Sequence, residues 1–243
     1  MSKCVHNIKI GTSGWHYDHW IERFYPGDLP KNKWLTYYAE HFDTVEINNT
    51  FYQLPKAKTV ENWHQIVPNN FLYAVKANRF ITHIKRLNEP AEPLERFFEI
   101  VNLLKEKLGP VLYQLPPSFH KDIGRLRNFL ALLPDTTQSV FEFRHKSWFS
   151  QDTYKLLEKH NISFCVHDMQ GLKTPLIVTG DTIYIRFHGS TGRYEGNYTE
   201  SMLSKWASWI KKQKARNIYA YFNNDYNAYA VYNAKTLTQL LNR

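Results

Sequence analysis

Eight short apolar runs recur along the chain, each rich in β-branched and aromatic residues and each of strand length. They occupy residues 7–13, 44–48, 71–77, 111–116, 139–145, 163–168, 182–189 and 217–225. Helical spacing of apolar residues marks the stretches 32–42, 59–67, 93–109, 123–133, 148–161, 200–217 and 233–243. The stretch between the sixth and seventh runs is too short and too irregular to predict a full helix.

Alternation of eight strands with helices predicts an α/β fold, a single TIM-like (β/α)8 barrel that spans residues 1–243 as one domain. The alternative is an open doubly wound sheet. The strand count and the chain length of 243 residues favour the barrel. We expect the crossover between the sixth and seventh strands to be short and irregular.

Polar residues occupy one face of each run near its C-terminal end. In the second run Glu46 and Asn48 share a face, and in the seventh run Arg186 and His188 do so. The corresponding positions of the other runs hold Ser13, Lys76, Gln114, Glu142, Arg144, His167 and Asn223. Because a helix-covered parallel sheet is normally apolar on both faces, we expect these side chains to meet at the C-terminal mouth of the barrel. The alternative is that the charges pair only to support the fold.

Composition narrows the class of protein. Hydrophobic residues make up 43% of the chain, enough for a core of normal size. The two cysteines, Cys4 and Cys165, show no metal-ligand spacing and no disulfide framework, which indicates a reducing compartment. The first ten residues lack the apolar segment of a secretory signal, and no apolar run approaches the length of a membrane span. We therefore expect a cytoplasmic protein without a membrane partner.

The net charge of +9 favours anionic partners such as phosphates, acidic metabolites or nucleic acid. The basic segment 211–216 also suits a solvated helix end, where the helix dipole favours positive charge. Carboxylates in the barrel would repel a polyanion. These observations favour a small anionic or phosphorylated ligand, with nucleic acid as the alternative partner.

The loop after the seventh run is a candidate anion site. Its glycines Gly189, Gly192 and Gly196 would let backbone N–H groups approach an anion closely, and Arg193 would add a donor. The planar guanidinium groups of Arg144 and Arg186 suit phosphate or carboxylate. An ordinary flexible loop with turn glycines is the alternative. Aromatic residues near the mouth could stack on a ring of the ligand: Trp15, Tyr17, Tyr52, Tyr194, Tyr198, Tyr226 and Tyr229.

Two carboxylates near cations suit acid/base chemistry, so we predict Glu46, Glu142 and His188 as catalytic residues. The predicted substrate-binding residues are Asn48, Lys76, Gln114, Arg144, His167, Asp168, Arg186, Gly189, Arg193, Tyr194, Asn223 and Asp225. Three cations on the same inward face would repel a divalent metal ion. We therefore assign no metal ligand and no cofactor.

Long segments of the chain resemble the YecE-like family, domain of unknown function number seventy-two. They include IGTSGWHYDHW at 10–20, FEFRHKSW at 141–148 and YFNNDYNAYAVYNA at 221–234. The resemblance runs from about Ile8 to Leu237 and implies a TIM-barrel-like fold, but it brings no established activity. Ala228 stands where this family usually has glycine.

The site residues predict an enzyme, an acid/base hydrolase, lyase or isomerase, that acts on a small sugar- or nucleotide-like anion at the barrel mouth. Two alternatives stay open. One is a non-catalytic nucleic-acid-binding barrel, whose affinity should fall steeply with salt. The other is a metal-dependent enzyme like the sugar isomerases, with which the resembled family is loosely grouped by fold.

Overall fold

Eight parallel strands form a nearly closed barrel in the computed structural model, which describes residues 7–192 and 194–243. The strands are β1 (Asn7–Thr12), β2 (Thr44–Ile47), β3 (Leu72–Lys76), β4 (Leu108–Leu115), β5 (Ser139–Phe143), β6 (Ser163–Met169), β8 (Thr182–Phe187) and β9 (Asn217–Phe222). Their order is β1-β9-β8-β6-β5-β4-β3-β2, and β7 (Leu172–Lys173) pairs antiparallel with β6. All eight predicted runs are therefore strands of one α/β barrel.

Helices cover the outside of the sheet. They are α1 (Trp34–Ala39), α2 (Asn49–Tyr52), α3 (Ala57–Ile66), α4 (Ala91–Val101), α5 (Ile123–Leu130), α6 (Gln151–Lys159), α7 (Glu200–Lys211) and α8 (Tyr229–Asn242). The single-turn helix α2 was not predicted. The crossover from β6 to β8 contains no helix, as predicted. No helix in the described part of the chain is long and apolar enough to cross a membrane.

The seam between β1 and β2 closes the barrel without a regular ladder. The strands touch at one backbone bridge, between Ser13 and Glu46. Below it, the hydroxyl of Tyr38 from α1 lies between the strands, accepts from the Thr12 N–H at 3.0 Å and donates to the Thr44 carbonyl at 3.1 Å. This closure excludes the open doubly wound sheet.

The helix predicted over residues 93–109 is longer than α4, the helix that forms there. It was expected to end at Gly109, but α4 ends at Val101 and a 3₁₀ segment follows it to Lys107. Within that segment Lys105 has a φ of 50°, which breaks the helix. The buried ammonium of Lys107 then donates to two carbonyls at the end of α3, at 2.6 and 2.7 Å. These contacts turn the chain so that β4 starts at Leu108, a position that helical periodicity does not reveal.

The interior has two regions of different chemistry. Between the sheet and the helices lies an apolar core that includes the fully buried indoles of Trp20, Trp34 and Trp148. Inside the barrel, small apolar residues and phenols form a lower layer: Leu72, Ala74, Leu112, Val140, Cys165, Tyr184, Tyr219 and Tyr221. The inward positions beyond this layer, at the carboxyl ends of the strands, are polar and charged.

Candidate active site

Arg186 of β8 lies between Glu46 of β2 and Glu142 of β5 inside the barrel. Its Nε donates to Oε2 of Glu46 at 3.0 Å, and its Nη2 donates to Oε1 of the same residue at 2.7 Å. Its Nη1 donates to Oε2 of Glu142 at 2.7 Å. The three side chains are at most 2% exposed. One guanidinium therefore joins and orients the two carboxylates predicted to be catalytic.

Each carboxylate accepts further hydrogen bonds from inward side chains. Glu46 accepts from the hydroxyl of Ser13 at 2.8 Å and from that of Tyr184 at 2.6 Å. Glu142 accepts from Nε2 of Gln114 at 2.8 Å. Because donors already occupy the carboxylate oxygens, both groups are held rigidly in one orientation.

The buried charges of this network balance. Burial alone raises the pKa of Glu142, but the charges of Arg144 and Arg186 outweigh it and hold that pKa well below its usual range. Arg144 forms an ion pair with Glu142, and Arg186 pairs with both glutamates. Two positive and two negative charges cancel. Removing one member would leave an uncompensated buried charge, which typically costs about 3–5 kcal/mol.

Lys76 lies at the end of β3 and is the cation left outside this balance. Its side chain is buried, with 9% of the residue exposed. Its Nζ lies 4.1 Å from the ring centroid of Phe51. Across residues 7–192 and 194–243, the amine of Lys76 has no hydrogen-bond acceptor and no ion-pair partner. The carboxylates that could neutralise it are bound by the two arginines.

The environment of Lys76 favours its neutral form. Burial lowers its pKa from the usual 10.5 to about 7, and the charge of Arg186 acts in the same direction. Glu142 and Glu46 oppose this shift but do not overcome it. At neutral pH the amine is therefore present as ammonium and free base in comparable amounts. A buried amine with a pKa this low is typical of functional sites.

The two inward histidines are neutral at physiological pH. Burial, aided by the charge of Arg186, lowers the pKa of His188 to about 3. Burial also lowers the pKa of His167 to about 4. Nη2 of Arg144 lies 2.8 Å from Nε2 of His188. Since a guanidinium only donates, this nitrogen accepts, and Nδ2 of Asn223 lies 3.3 Å from Nδ1 on the other side of the ring.

A pocket of about 260 Å³ opens above the network and is called the mouth pocket below. Its lining consists of Tyr17, Asn48, Tyr52, Lys76, Gln114, Arg186, Tyr194, Asn223 and Asp225. Its volume matches that of about nine water molecules, so it suits a small metabolite. Seven of its nine lining residues are predicted substrate-binding residues. The other two, Tyr17 and Tyr52, belong to the predicted aromatic rim.

Asp225 contributes a second titratable group to the mouth pocket. Burial raises its pKa above the usual 3.8. Its carboxylate lies 3.1 Å from Nε2 of His19, and its backbone carbonyl accepts from Nε1 of Trp20 at 2.9 Å. These contacts hold the loop after β9 against the loop after β1. The pocket therefore holds a carboxyl group with a raised pKa and an amine with a lowered one.

A larger cavity of about 440 Å³ adjoins the mouth pocket and is called the side cavity. Tyr17 and Asn48 line both spaces. The side cavity also contains Trp15 and Trp63, whose rings meet edge to face at 5.6 Å between centroids. Three further asparagines line it: Asn32, Asn49 and Asn62. Its flat rings and amides suit an uncharged polar ring.

The loop after β8 uses its glycines for its own packing. Gly189 has a φ of 125°, and a Cβ there would lie 2.2 Å from the Gly192 carbonyl oxygen. At Gly196 a Cβ would lie 2.4 Å from the Thr191 hydroxyl. The Gly189 N–H donates to the Tyr198 hydroxyl at 3.2 Å. The anion role of this loop stays a prediction, and Arg193 lies outside the described residues.

Several predicted residues lie away from the mouth pocket. Arg144 and His188 lie in the charged network, and Nε2 of His167 contacts the Phe143 carbonyl oxygen at 3.3 Å. Asp168 follows His167 on the opposite face of β6 and interacts with the Tyr198 hydroxyl. The alternation of β6 places the Asp168 side chain outside the barrel, although this residue was predicted to bind substrate.

Tyr184 was missed as a member of the site. It lies two positions before Arg186 on the same inward face of β8, but it was not predicted as a site residue. Its hydroxyl binds Glu46 while its ring belongs to the lower layer of the lumen. Phe51 was missed as well, because α2 was not predicted.

Within the described ranges, no three His, Cys, Asp or Glu side chains converge in a way that could hold a metal ion. A cavity of about 640 Å³, larger than the mouth pocket, lies at the opposite end of the barrel, near the start of β1 and the end of α8. Barrel enzymes carry out their chemistry at the carboxyl ends of the strands. The mouth pocket is therefore the candidate active site despite its smaller volume.

Comparison with known proteins places the chain among uncharacterised relatives. A family model described as "Protein of unknown function DUF72" matches residues 9–243. The UPF0759 protein YunF of Bacillus subtilis is 28% identical over 270 residues, covering 96% of this chain and 94% of that protein. The UPF0759 protein YecE of Escherichia coli K12 is 28% identical over 145 residues, covering 59% of this chain and 51% of that protein.

Solved structures show the same barrel. A DUF72 family protein from Thermotoga maritima superposes with a TM-score of 0.89 at 29% identity, covering 98% of this chain and all of that one. A DUF72 family protein from Enterococcus faecalis gives 0.80 at 21% identity, with 99% of each chain covered. 3-Hexulose-6-phosphate synthase from Salmonella typhimurium gives 0.50 at 10% identity over 83% of this chain and 87% of that one. The last two likenesses show the fold alone.

Proposed function

The chain belongs to the DUF72 family of proteins of unknown function, and we propose that it is an enzyme that acts on a small anionic substrate in the mouth pocket. The chemistry we propose is proton transfer. The residues to which we assign this role are Lys76 and Asp225, which line the pocket above the Glu46–Arg186–Glu142 network.

One observation carries this proposal: the amine of Lys76 lines the mouth pocket and has no counter-charge within the described residues. Burying an ammonium without a partner is expensive. An anionic ligand would supply the missing charge and would draw the amine into its protonated form. Binding should therefore be coupled to proton uptake near pH 7.

The titratable groups of the pocket support acid/base chemistry. The environment pushes the pKa of Lys76 down to about 7 and the pKa of Asp225 up, so both approach physiological pH from opposite sides. Such pairs mark acid and base roles in known enzymes. Proton transfer by Glu46, Glu142 and His188 stays a prediction. Their hydrogen bonds favour a role in orienting Arg186 and setting the charge beneath the substrate.

The side cavity supports a sugar- or nucleotide-like substrate. It meets the mouth pocket at Tyr17 and Asn48, so one ligand could place its charged group near Lys76 and its ring between the two cavities. The indole rings of Trp15 and Trp63 offer a surface for such a ring.

Sulfate binding tests the proposal, because the charge of sulfate is constant between pH 6 and pH 8. We expect calorimetry to show sulfate binding at pH 6 with an affinity that falls about tenfold by pH 8, since the charged fraction of an amine with a pKa near 7 falls about tenfold over this range. Lys76→Met should lower the affinity at pH 6 at least about tenfold and should abolish its pH dependence.

Lys155→Met is the matched control, because it removes one positive charge from an exposed position on α6. It should bind sulfate like the unaltered protein. Equal sulfate affinity in Lys76→Met and in the unaltered protein at pH 6 would contradict the proposal. Salt-sensitive binding of an oligonucleotide by both variants would then favour the nucleic-acid-binding alternative.

A further inference from the structure

We propose that Lys76 is a nucleophile that forms an imine with the carbonyl group of a small anionic substrate, such as an oxo acid or a phosphorylated aldehyde. The inference rests on the proposed function and names the reaction centre and the substrate class for the same pocket. It follows from a comparison of the buried lysines of this chain.

Among the described side chains, two other lysines are buried to a similar degree, and each has acceptors for its ammonium group. Lys9, which is 9% exposed, donates to Asp43 at 2.7 Å and to the Asn70 carbonyl at 3.0 Å. Lys107, which is 3% exposed, donates to two carbonyls of the backbone. Their charged forms are therefore satisfied. Lys76 differs from both because it is equally buried but faces a pocket instead of acceptors.

The groups around Lys76 come from several strands and from α2. Arg186 and Arg144 disfavour its ammonium form, Glu142 and Glu46 favour it, and burial is the largest influence. The ring of Phe51 lies beneath the amine and favours the charged form only weakly. The result is a pKa of about 7, at which roughly a thousand times more free base is present at neutral pH than for an ordinary lysine.

Free-base amines attack carbonyl carbons. In the proposed step the lone pair of Nζ forms a C–N bond, and the carbonyl oxygen takes a proton to give a carbinolamine. A second proton reaches that hydroxyl, the C–O bond breaks, and water leaves. Of the two protons that leave in the water molecule, one comes from Nζ through Asp225, the nearby carboxyl group with a raised pKa, and the other is taken up from solvent. The product is a protonated imine and one water molecule.

The anionic character of the substrate follows from the charge of this product. A protonated imine keeps the single positive charge that the network beneath it does not neutralise. A carboxylate or phosphate on the substrate would supply that counter-charge from within the same molecule. The volume of about 260 Å³ limits the part of the substrate near Lys76 to a few carbon atoms and one anionic group.

Reductive trapping with glyoxylate tests the inference. Glyoxylate is a small anionic aldehyde, and cyanoborohydride converts its imine with lysine into a stable secondary amine. We expect peptide mapping of the unaltered protein at pH 7 to show Lys76 modified at least about tenfold faster than Lys9 and Lys107, which serve as buried controls in the same molecule. Sulfate should slow the modification of Lys76 alone.

Two variants test whether the fast modification depends on the amine of Lys76. Lys76→Met should lose the fast modification while keeping the circular dichroism spectrum of the unaltered protein. Lys9→Met should keep the fast modification of Lys76. Glycolaldehyde, a neutral aldehyde of similar size, should modify Lys76 more slowly than glyoxylate, because it brings no counter-charge.

Modification of Lys76 at the same rate as Lys9, or no modification at all, would overturn the inference. The sulfate titration is independent of this outcome. Sulfate binding that depends on Lys76, without trapping of an imine, would leave the proposed function in place and limit Lys76 to binding or proton transfer. If sulfate binding does not depend on Lys76 and no imine is trapped on Lys76, both the proposed function and the inference are contradicted.

Discussion

Ala228 combines a buried side chain with a backbone conformation that alanine disfavours. It precedes α8 with a φ of 59° and a ψ of 20°, in the left-handed region that favours glycine, and it is fully buried. The resembled family usually has glycine at this position. The methyl group fills space in the core, so its burial offsets part of the backbone strain.

Substitutions of Ala228 should reveal this balance in the free energy of unfolding. Ala228→Gly relieves about 1–2 kcal/mol of strain but loses about 0.8 kcal/mol of methyl burial and gains freedom in the unfolded chain. We expect the free energy of unfolding of this variant to lie within about 1 kcal/mol of that of the unaltered protein. Ala228→Val should destabilise by about 2–5 kcal/mol, because it combines a β-branched side chain with overpacking.

Urea unfolding of the two variants is the measurement. A valine variant as stable as the glycine variant would show that residue 228 does not hold its positive φ in solution. The comparison between the two variants matters more than either value, because both change the same backbone position.

At the scale of elements, the β1–β2 seam depends on a side chain from a helix. The Tyr38 hydroxyl takes the place of a ladder hydrogen bond between the strands, and it also contacts the Thr12 hydroxyl at 2.9 Å. Gly11 permits this approach, since a Cβ there would lie 2.3 Å from the Thr44 carbonyl oxygen. The seam sits directly beneath Ser13, which binds Glu46 in the charged network.

Removing the Tyr38 hydroxyl should weaken the seam. Tyr38→Phe leaves a buried N–H and a buried carbonyl without their partner, so we expect a loss of about 2–4 kcal/mol in the free energy of unfolding. Tyr37→Phe is the matched control on the same helix, because the Tyr37 side chain is only half-buried, and it should change stability by less than about 0.5 kcal/mol. Hydrogen exchange should also speed up at the Thr12 amide in the first variant alone. Equal stability of both variants would show that the seam closes without the phenol.

At the scale of the whole molecule, buried histidines make stability depend on pH. In the folded protein the pKa values of His167 and His188 are lowered to about 4 and about 3, against 6.5 for an ordinary histidine. Between these values the unfolded chain binds protons that the folded protein does not. Stability is therefore fully present above pH 6.5 and is lost as the pH falls toward 4 and below.

Each of these two histidines should contribute a slope of about 1.4 kcal/mol per pH unit in this window. We expect urea unfolding to show a markedly lower free energy at pH 5 than at pH 7. His167→Gln should flatten this slope by the contribution of one histidine, whereas His160→Gln, at an exposed position, should leave it unchanged. A slope that His167→Gln leaves unaltered would mean that His167 is charged or accessible in the folded state.

The local pattern of the sequence was enough to predict the barrel. Strand-length runs, alternation of polar and apolar residues, and the helical stretches between them are short-range properties, and they predicted all eight strands and the inward direction of Glu46, Lys76, Glu142 and Arg186. The end of α4 escaped prediction, because the buried contacts of Lys107 override the helical periodicity that continues past Val101.

Only the tertiary structure decided which charges meet. Glu46 and Arg186 are 140 positions apart, and no sequence periodicity predicts that one guanidinium bridges two carboxylates. The sequence showed an inward excess of one positive charge, but not which cation carries it. Arg144 and Arg186 both form ion pairs with the glutamates inside the barrel, so Lys76 is left without an ion-pair partner among the described residues and faces the pocket. The reason is geometric, since a planar guanidinium has donors for two carboxylates at once and an ammonium at the end of β3 reaches neither.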